Sequence, residues 1–427
     1  MAKKHDLILE RVLEKITPSE EKLKFMDKNL NSFLEKINKR IKKVGLDLEV
    51  FVGGSFAKKT LIKKKTDDID IYFRFNQKYS DDSLTKLTKK ILKKIRSVSV
   101  VHGSRDYFRV KINSWFYFEI IPVRKIKKIE EAKNITDLSY SHVKYIRKKV
   151  KSKKVIEGIK LAKAFCYGSR TYGAESYVHG FSGYSLELLI YHYGGFMKFL
   201  QEIVKKRKDK LIIDIEKHHR NKQRILLDIN SSKLESPIIL IDPTFKKRNT
   251  LAALSEETYE IFRKAAKEFL KNPSEEFFKV KKIDFKNIKN DAEKKGKEFL
   301  LIKTRTKKQE GDIAGTKLLK FSKHLEYEFK KFFELIDSDF EYLDNQEGIS
   351  YFVLKRKNEI VSCGPSINDK KNVLKFKEEH PRTFIKEGKI YSKRKINFSG
   401  KEFLAVWGRK NQKKVKEMYI SKLEIIG

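Results

Sequence analysis

The sequence predicts a multidomain protein of the α+β class, and three observations support that prediction. The chain has 427 residues, which corresponds to about three domains at ~150 residues each. It is 40% hydrophobic and 12% aromatic, so it has enough apolar material for real cores and wholesale disorder is excluded. Helical and strand-like hydrophobic periodicities alternate along the chain, as in mixed folds.

Residues 1–135 are predicted to form one domain, in which helices pack on a small mixed sheet. Residues 6–44 have helical spacing, and Thr17 is predicted to cap a helix with Pro18 in its first turn and Glu20 three positions on. A Lys-rich helix is expected at about 83–96. The strands expected in this domain are 48–52, 68–75, 107–112 and 116–121.

The rest of the chain is predicted to hold a mostly helical domain, 136–256, and an α+β region, 257–427. The helical pattern of the first covers about 139–203, and strand signals follow at 211–215 and 238–241. The expected elements after that are helices at 251–270 and near 314–336 and strands at 299–302, 348–354 and 359–363.

The charge of the chain indicates a polyanionic partner. Lys and Arg number 98 against 57 Asp and Glu, a formal net charge of +41. An excess of this size usually serves binding to a polyanion such as nucleic acid. A compositional bias of the coding sequence is the alternative, but it enriches Lys, Asn and Ile without removing Asp and Glu.

Several function classes are excluded by what the sequence lacks. Cys166 and Cys363 are too few for a disulfide framework or a Cys-rich zinc site, and both are expected to be free and buried. No apolar run approaches the ~18 residues of a membrane span, and the first residues lack a signal core, so we expect a soluble, cytoplasmic protein with no membrane partner. Phosphate-loop and serine-hydrolase motifs are absent.

Carboxylates on two predicted strands are the sharpest feature of the sequence. Side chains alternate along a strand, so Asp68 and Asp70 share one face while Ile69 and Ile71 share the other. Two carboxylates side by side are costly unless a cation lies between them. Carboxylate oxygens suit Mg²⁺, which takes its other ligands from phosphate and water. Asp67 is expected on the wrong face or in the turn before the strand, and it is left out.

Glu119 completes the predicted site. It is a lone charge in a strongly apolar strand, and a neighbouring strand can place it beside Asp68 and Asp70. Three acids around two metal ions can hold the attacking and leaving oxygens of an in-line displacement. Gly54-Ser55 precedes Asp68 with twelve residues between them, and its backbone can approach a phosphate closely. An isolated Asp-x-Asp is common, but this combination favours a nucleotidyltransferase.

The Gly54-Ser55…Asp68-Ile69-Asp70 pattern resembles the DNA polymerase β nucleotidyltransferase superfamily. Further segments are similar to the archaeal, class I CCA-adding tRNA nucleotidyltransferases, and Phe181-Ser182-Gly183-Tyr184 is the most specific of them. The other segments are Tyr172-Gly173-Ala174-Glu175, Glu187-Leu188-Leu189, Tyr193-Gly194-Gly195-Phe196, Asp242-Pro243, Lys247-Arg248-Asn249, Asp312 to Leu325 and Cys363-Gly364-Pro365-Ser366.

That resemblance implies a catalytic head, a neck, a body and a tail that bind tRNA, and addition of C, C and A to a tRNA 3′ end. CTP and ATP would be the substrates, two Mg²⁺ ions the cofactors, and the tRNA acceptor stem, 3′ end and TΨC arm the contacted regions. A homodimer is compatible with it. The catalytic and metal-binding acids would be Asp68, Asp70 and Glu119. The implied nucleotide-binding residues are Gly54, Ser55, Lys58, Ser139, His142, Lys163, Tyr172 and, as base reader, Arg248.

The chain departs from that family at three of these positions. Glu119 stands where Asp is usual, Lys58 where Arg is frequent, and Ser139 where Thr is usual. The longer Glu119 changes the reach of a metal ligand, and Lys58 offers a point charge where Arg offers a bidentate fork.

Several alternatives remain open at the level of sequence. Lys163 can be a surface lysine, Tyr172 a core aromatic, His142 a satisfied helix histidine and Arg248 a solvated charge. A poly(A)-polymerase-like enzyme would use ATP only, and a 2′-5′ oligonucleotide synthetase would need an RNA activator. A catalytically weak RNA-binding protein on the same scaffold would bind tRNA without incorporating nucleotides.

Overall fold

The computed structural model describes residues 2–426 apart from 104, 207–208, 281, 309–310, 344–345 and 381. Its contacts divide the chain into two compact units, Met1–Lys281 and Lys282–Gly427. The predicted α+β fold is confirmed, since helices pack on mixed and antiparallel sheets. The three predicted domains, 1–135, 136–256 and 257–427, stay a prediction.

Two helices open the first unit, α1 (Ala2–Ile16) and α2 (Glu20–Val44). The prediction that Thr17 caps the second helix was wrong. Ser19 is the cap, and its hydroxyl accepts a hydrogen bond from the Lys22 amide at 3.3 Å. A Ser cap satisfies one of the backbone donors that the first turn of a helix leaves free.

A five-stranded mixed sheet follows, in the spatial order β1-β2-β5-β4-β3. Strands β2 and β5 are parallel, and the other neighbouring pairs are antiparallel. Strand β3 had no predicted counterpart. The elements are β1 (Leu48–Val52), α3 (Gly54–Ala57), β2 (Asp67–Phe75), α4 (Asp81–Leu92), β3 (Val98–Val101), β4 (Tyr107–Lys111) and β5 (Phe116–Arg124).

The apolar face of this sheet is its core. Ile69, Ile71 and Phe73 alternate along β2 and are fully buried against apolar residues of α2 and α4. Each such side chain contributes about 1.5–3 kcal/mol on burial. The opposite face of β2 therefore carries the residues in between, which include Asp68 and Asp70, and burial of the apolar set fixes their direction.

The remainder of the first unit is mostly helical, as predicted. Its apolar core is built around Phe165, Phe181, Phe199 and Phe262. A small sheet in the order β6-β7-β8 lies beyond the first four helices. The elements are α5 (Ser139–Lys149), α6 (Lys153–Gly168), α7 (Gly183–Tyr193), α8 (Phe196–Ile203), β6 (Leu211–Ile213), α9 (Lys222–Asp228), β7 (Ile238–Asp242), β8 (Phe245–Asn249) and α10 (Glu256–Lys271).

The second unit has a four-stranded sheet, β10-β11-β9-β15, and a three-stranded sheet, β12-β14-β13. The helix expected near 314–336 ends at Lys330, and β10 follows it directly. The elements are α11 (Phe285–Lys294), β9 (Glu298–Thr306), α12 (Asp312–Lys330), β10 (Phe333–Leu343), β11 (Glu347–Arg356), β12 (Glu359–Ser366), α13 (Lys370–Glu379), β13 (Thr383–Lys386), β14 (Lys389–Lys395), α14 (Gly400–Lys410), α15 (Gln412–Glu417) and β15 (Ile420–Ile425).

Two further sequence expectations can be compared with the structure. Within the described residues, no helix combines the length and apolarity that a bilayer crossing requires. Both cysteines are free thiols, and Cys166 is buried on α6. Cys363 is exposed on β12, so the expectation that both are buried was wrong.

Candidate active site

Three carboxylates meet on the polar face of the five-stranded sheet. The parallel pairing of β2 and β5 places Asp70 directly beside Glu119 and Asp68 beside Tyr117. Asp68 and Asp70 are two residues apart on β2 and therefore point to the same side. The side chains of Asp68 and Glu119 are 21% and 18% exposed, so the cluster remains open to solvent.

The turn after β1 lies against this cluster. The Gly53 amide donates a hydrogen bond to the Asp70 carbonyl at 2.9 Å. Gly54 has φ +62°, and a Cβ at this residue would overlap the Asp70 carboxylate oxygen Oδ2. Only glycine combines that backbone conformation with that close approach. The Gly54-Ser55 pair predicted from sequence thus begins α3 beside the acids.

The electrostatics of the cluster are those of like charges brought together. Burial, with the neighbouring charges of Asp68 and Glu119, raises the pKa of Asp70 from 3.8 to about 8. Burial and Asp68 likewise raise the pKa of Glu119, although Arg109 opposes the rise. A pair or triad of carboxylates has this property when no cation lies between them.

Two cations flank the cluster at its edges. The Arg109 Nε donates to Glu119 Oε1 at 3.0 Å from the adjacent strand β4, where the two residues are cross-strand partners. Lys64 Nζ lies 3.5 Å from Asp68 Oδ1. Burial lowers the pKa of Lys64, but Asp68 and nearby tyrosines outweigh it and the net pKa is raised. Both groups therefore stay charged beside their carboxylates.

The donor set suits a hard divalent cation. Three carboxylates on two neighbouring strands supply oxygen ligands, and the pKa of Asp70 is raised by burial and by the charges of Asp68 and Glu119, which a cation would offset. As they stand, no three His, Cys, Asp or Glu side chains among the described residues form a ready-made metal site. The Oε1 atom of Glu119 instead accepts a hydrogen bond from Arg109.

A second group of predicted residues is built around a buried carboxylate, Glu187 on α7. Lys58 Nζ donates to Glu187 Oε2 at 2.7 Å, and Lys163 Nζ lies 3.5 Å from Oε1. Thr60 accepts from Lys163 at both its carbonyl and its hydroxyl oxygen, at 3.1 and 2.9 Å. Burial lowers the pKa of Lys163 to about 8, with Lys58 and Lys64 acting in the same direction and Glu187 opposing.

A third group is built around Asp242 at the end of β7. Arg248 Nη1 donates to Asp242 Oδ2 at 2.7 Å, and His142 Nε2 lies 2.9 Å from the same oxygen. The Tyr184 hydroxyl donates to Oδ1 at 3.1 Å, and its ring stacks on His142 with centroids 4.0 Å apart. His142 and Arg248 outweigh the effect of burial, so the pKa of Asp242 is well below its ordinary value.

The last two predicted residues reach the acid face by hydrogen bonds and stacking. Ser139 hydrogen-bonds the hydroxyl of Tyr72, which shares the polar face of β2 with the acids. Tyr172 stacks on Tyr167 with ring centroids 4.3 Å apart. A hydrogen bond joins Tyr167 to Lys64, the neighbour of Asp68.

The three groups lie within electrostatic reach of one another. The charge of Lys58 lowers the pKa of Asp70 and also that of His142. The charge of Asp68 raises the pKa of Tyr172. The structure therefore brings the sequence-predicted residues together in the first unit as one polar region that has three centres.

Sequence reasoning assigned no role in the site to four residues that hold these centres together, although Tyr184 and Glu187 lie in segments that carry the family resemblance. They are Thr60, Arg109, Tyr184 and Glu187 as structural partners of predicted residues. Glu187 had a usable signal, because it is an acid inside the apolar run of α7, as Glu119 is inside β5. Arg109 had none, since its pairing with Glu119 depends on the register of β4.

Comparisons with known proteins agree with this geometry. Residues 157–279 match the family model described as tRNA nucleotidyltransferase, second domain. The chain is 33% identical over 351 residues to the CCA-adding enzyme of Nanoarchaeum equitans. The match covers 81% of this chain and 83% of that protein. It is also 28% identical over 397 residues to the CCA-adding enzyme of Methanocaldococcus jannaschii. That match covers 90% of this chain and 86% of that protein.

Solved structures share the fold at much lower identity. One of them is a structure of Cid1, a protein described as having RNA terminal uridylyl transferase activity. It superposes on this chain with a TM-score of 0.51 at 12% identity. The match covers 66% of this chain and 100% of that one. A crystal structure of the Cid1 poly(U) polymerase with Mg 3′-dATP bound gives a TM-score of 0.50 over the same shares.

The family model and the curated relatives show that the chain is a nucleotidyltransferase, and the Cid1 structures share its fold. Nucleotide substrates and a divalent metal ion are general to that class. The identity to the N. equitans protein extends over most of both chains, and the chain belongs to the CCA-adding enzyme family of tRNA nucleotidyltransferases. The resemblance inferred from sequence is confirmed.

Proposed function

We propose that this chain adds C, C and A to the 3′ end of tRNA from CTP and ATP, without a nucleic-acid template and with release of pyrophosphate. The observation that carries the proposal is the acid cluster of Asp68, Asp70 and Glu119 in a member of this family. Oxygen ligands on the face of a rigid sheet are what nucleotidyl transfer requires, because the reacting oxygens must be held in line.

The acids are proposed to hold Mg²⁺, with Asp68 and Asp70 binding two ions and Glu119 binding one of them. When bound, the ions would activate the primer 3′-hydroxyl and balance charge on the triphosphate. Glu119 is also proposed to accept the proton of that hydroxyl, since burial and Asp68 raise its pKa and so its basicity. Arg109 orients the Glu119 carboxylate through the Nε–Oε1 bond of 3.0 Å.

The basic residues beside the acids are proposed to bind the triphosphate. Lys58 and Lys163 supply positive charge, and Gly54 lets the backbone approach the phosphates. The other proposed phosphate contacts are hydroxyl and imidazole groups that reach the same region, namely those of Ser55, Ser139, His142 and Tyr172. Hydrogen bonds to Asp242 and to Tyr72 hold His142 and Ser139 in place before a nucleotide arrives.

Base selection is assigned to Arg248. Asp242 holds one guanidinium nitrogen of Arg248 at 2.7 Å, which fixes the direction of the side chain. A guanidinium presents a rigid fork of donors, and the acceptors on a base edge can be distinguished by it. The side chain is 22% exposed, so part of the fork remains accessible to a ligand.

The tRNA is proposed to bind by its acceptor stem, its 3′ end and its TΨC arm. The net charge of +41 supports contacts to phosphates, which depend on salt and on duplex shape and not on sequence. Affinity for tRNA is therefore expected to fall steeply between low and high salt. A tRNA recognised this way needs no base-specific contacts outside its 3′ end.

The test is incorporation of labelled CTP and ATP into a tRNA transcript that lacks its terminal CCA, with Mg²⁺ and then with Mn²⁺. We expect two C and then one A, with no further addition. Long A tails from ATP alone would instead identify a poly(A)-polymerase-like enzyme. Tight tRNA binding without incorporation under either metal would overturn the proposed activity and identify an RNA-binding protein.

A further inference from the structure

We propose that Glu187 is a positioning residue that fixes the ammonium groups of Lys58 and Lys163 for the nucleotide triphosphate. This inference rests on the proposed function, because it assumes that these lysines bind phosphate. Glu187 lies on α7, outside the sheet that carries the acids. It acts through the lysines and through Thr60.

The carboxylate of Glu187 is fully buried and bonded at both oxygens. Oε2 accepts from Lys58 at 2.7 Å, and Oε1 accepts from the Thr60 hydroxyl at 3.1 Å with Lys163 Nζ at 3.5 Å. Despite complete burial, its pKa is below the ordinary value, because the two lysines and Thr60 outweigh the cost of desolvation. The group is therefore a permanent anion at neutral pH.

The two lysines are held differently. Lys163 is 4% exposed and also donates to the carbonyl and hydroxyl oxygens of Thr60, so it is tied to the backbone that follows α3. Lys58 lies at the end of α3 with a side chain that is 10% exposed. One carboxylate thus joins a lysine from the turn beside the acids to a lysine from the helix α6.

Electrostatics give this arrangement a purpose beyond stability. Two ammonium groups near one anion repel each other, and Lys58 and Lys64 contribute to the lowered pKa of Lys163. A single buried anion between two lysines leaves a net positive charge, which suits a triphosphate. Without that anion, one lysine would have to lose its proton or turn away, and the site would lose one of the two ammonium groups that are placed to bind phosphate.

The position of the pair supports the same role. Lys58 directly follows the short helix α3, whose first residue, Gly54, lies against the Asp70 carboxylate. A Cβ at Gly183 would lie 2.8 Å from the Tyr172 hydroxyl and 3.9 Å from Lys163 Cε. Lys163 and Tyr172 therefore approach the same point at the start of α7, four residues before Glu187.

A purely structural ion pair is the competing explanation, and the chain offers a matched control for it. Glu328 on α12 is also a buried glutamate with a lysine partner, Lys331, at 2.8 Å. It belongs to the second unit and has no part in the proposed nucleotide site. Glu187→Gln and Glu328→Gln thus make the same chemical change at two buried glutamates that pair with lysine, and only Glu187 lies in the unit that holds the acids.

The experiment measures CTP binding by calorimetry with Mg²⁺ and without tRNA, together with KM and kcat for CTP and for tRNA. We expect Glu187→Gln to weaken CTP binding and raise the CTP KM by roughly tenfold to a hundredfold, with the tRNA KM unchanged. Glu328→Gln should leave CTP binding as in the wild type. Glu187→Asp, which keeps the charge, should recover part of the lost affinity.

Two outcomes would overturn the inference. Either CTP binding by folded Glu187→Gln equals that of the wild type, or Glu328→Gln weakens it equally. If Glu187→Gln does not fold, Thr60→Val gives the second measurement, since it removes a hydrogen bond to Glu187 and one to Lys163 and keeps all three charges. We expect about a threefold weaker CTP complex, and an unchanged one counts against the inference. Failure of wild-type incorporation would refute the proposed function separately.

Discussion

The acids of the sheet and the acids of the helical part of the first unit are held in opposite electrostatic states. Burial and like charges raise the pKa of Asp70 to about 8 and also raise that of Glu119. Glu187 and Asp242 are fully buried, yet cations and hydrogen bonds hold the pKa of each below its ordinary value. Neighbours, and not depth of burial, decide which carboxylates carry their charge at low cost.

The difference separates residues that await a ligand from residues that serve the fold. A carboxylate whose pKa is already lowered by Lys or Arg gains little from a metal ion, whereas Asp70 and Glu119, whose pKa values stay raised, gain from a cation between them. The acids on the sheet thus lower the stability of the ligand-free protein, and the same repulsion favours binding of a metal ion. Functional sites often retain local strain of this kind.

The largest expected effect is the loss of activity on substitution of Asp70. Asp70→Asn should reduce kcat for CTP incorporation by about 10³-fold or more, because a charged ligand of the proposed metal site is lost. Its melting temperature should be equal to or above that of the wild type, because a repulsion is removed. Incorporation assays and calorimetry check both. An Asp70→Asn protein with near-wild-type activity would refute the assignment of this acid.

Asp67 is the matched control, since it lies three residues before Asp70 on the opposite face of β2 and is ion-paired with Lys22. Asp67→Asn should behave in reverse. It should lower the melting temperature, because a buried ion pair is broken, and should retain activity per folded molecule.

A compensated acid should respond mainly in stability. Asp242→Asn is expected to lower the free energy of unfolding by about 3 kcal/mol, because it leaves Arg248 and His142 without their carboxylate. The kcat/KM for CTP should fall by roughly tenfold to a hundredfold as Arg248 loses its fixed direction. Denaturant titration and steady-state kinetics measure the two effects. A stable variant with reduced activity would place Asp242 with the catalytic acids.

Lys163, in the group built around Glu187, should make the kcat/KM for CTP depend on pH. Lys163 has a pKa of about 8 in the folded protein, so its positive charge is present below that pH and is lost as the pH rises through it. The kcat/KM for CTP reports the free enzyme and should fall by up to about tenfold per pH unit above pH 8. Lys163→Met should give a lower value without that fall. A flat wild-type profile between pH 7 and about 9.5 would contradict the prediction.

The smallest expected effect is on thermal stability in the absence of metal. The pKa of Asp70 is raised from 3.8 to about 8 on folding, so between these values the folded state binds more protons than the unfolded state. Stability therefore falls as pH rises through this window, relative to Asp70→Asn. With chelator, we expect the melting temperatures of the wild type and Asp70→Asn to differ by a few degrees, since 1 kcal/mol corresponds to about 2–4 °C. The difference should be smaller with Mg²⁺. Equal pH profiles for both proteins would contradict it.

Local patterns were enough to predict the acid face. Alternation along β2 identified Asp68 and Asp70, and the isolated charge of Glu119 identified its strand, because burial of one strand face fixes the other. The Gly54-Ser55 turn was also readable, since a close backbone approach demands glycine. The roles of these residues remain predictions, although the geometry brings them together.

Contacts between distant segments could not be predicted in the same way. Glu187 meets Lys58 across 129 residues, and His142 meets Asp242 across 100. No periodicity encodes such pairs, because they depend on how separate helices and turns pack. Strand β10 was missed for a related reason, since it follows α12 with a two-residue connection and the apolar pattern continues through both.

The exposed thiol of Cys363 has a practical consequence. The chain contains two cysteines, and Cys166 is inaccessible on α6, where burial raises the pKa of its thiol to about 12. A maleimide dye should therefore attach at β12 of the second unit without any substitution. Fluorescence anisotropy of that single label could follow tRNA association directly and in real time, separately from nucleotide incorporation.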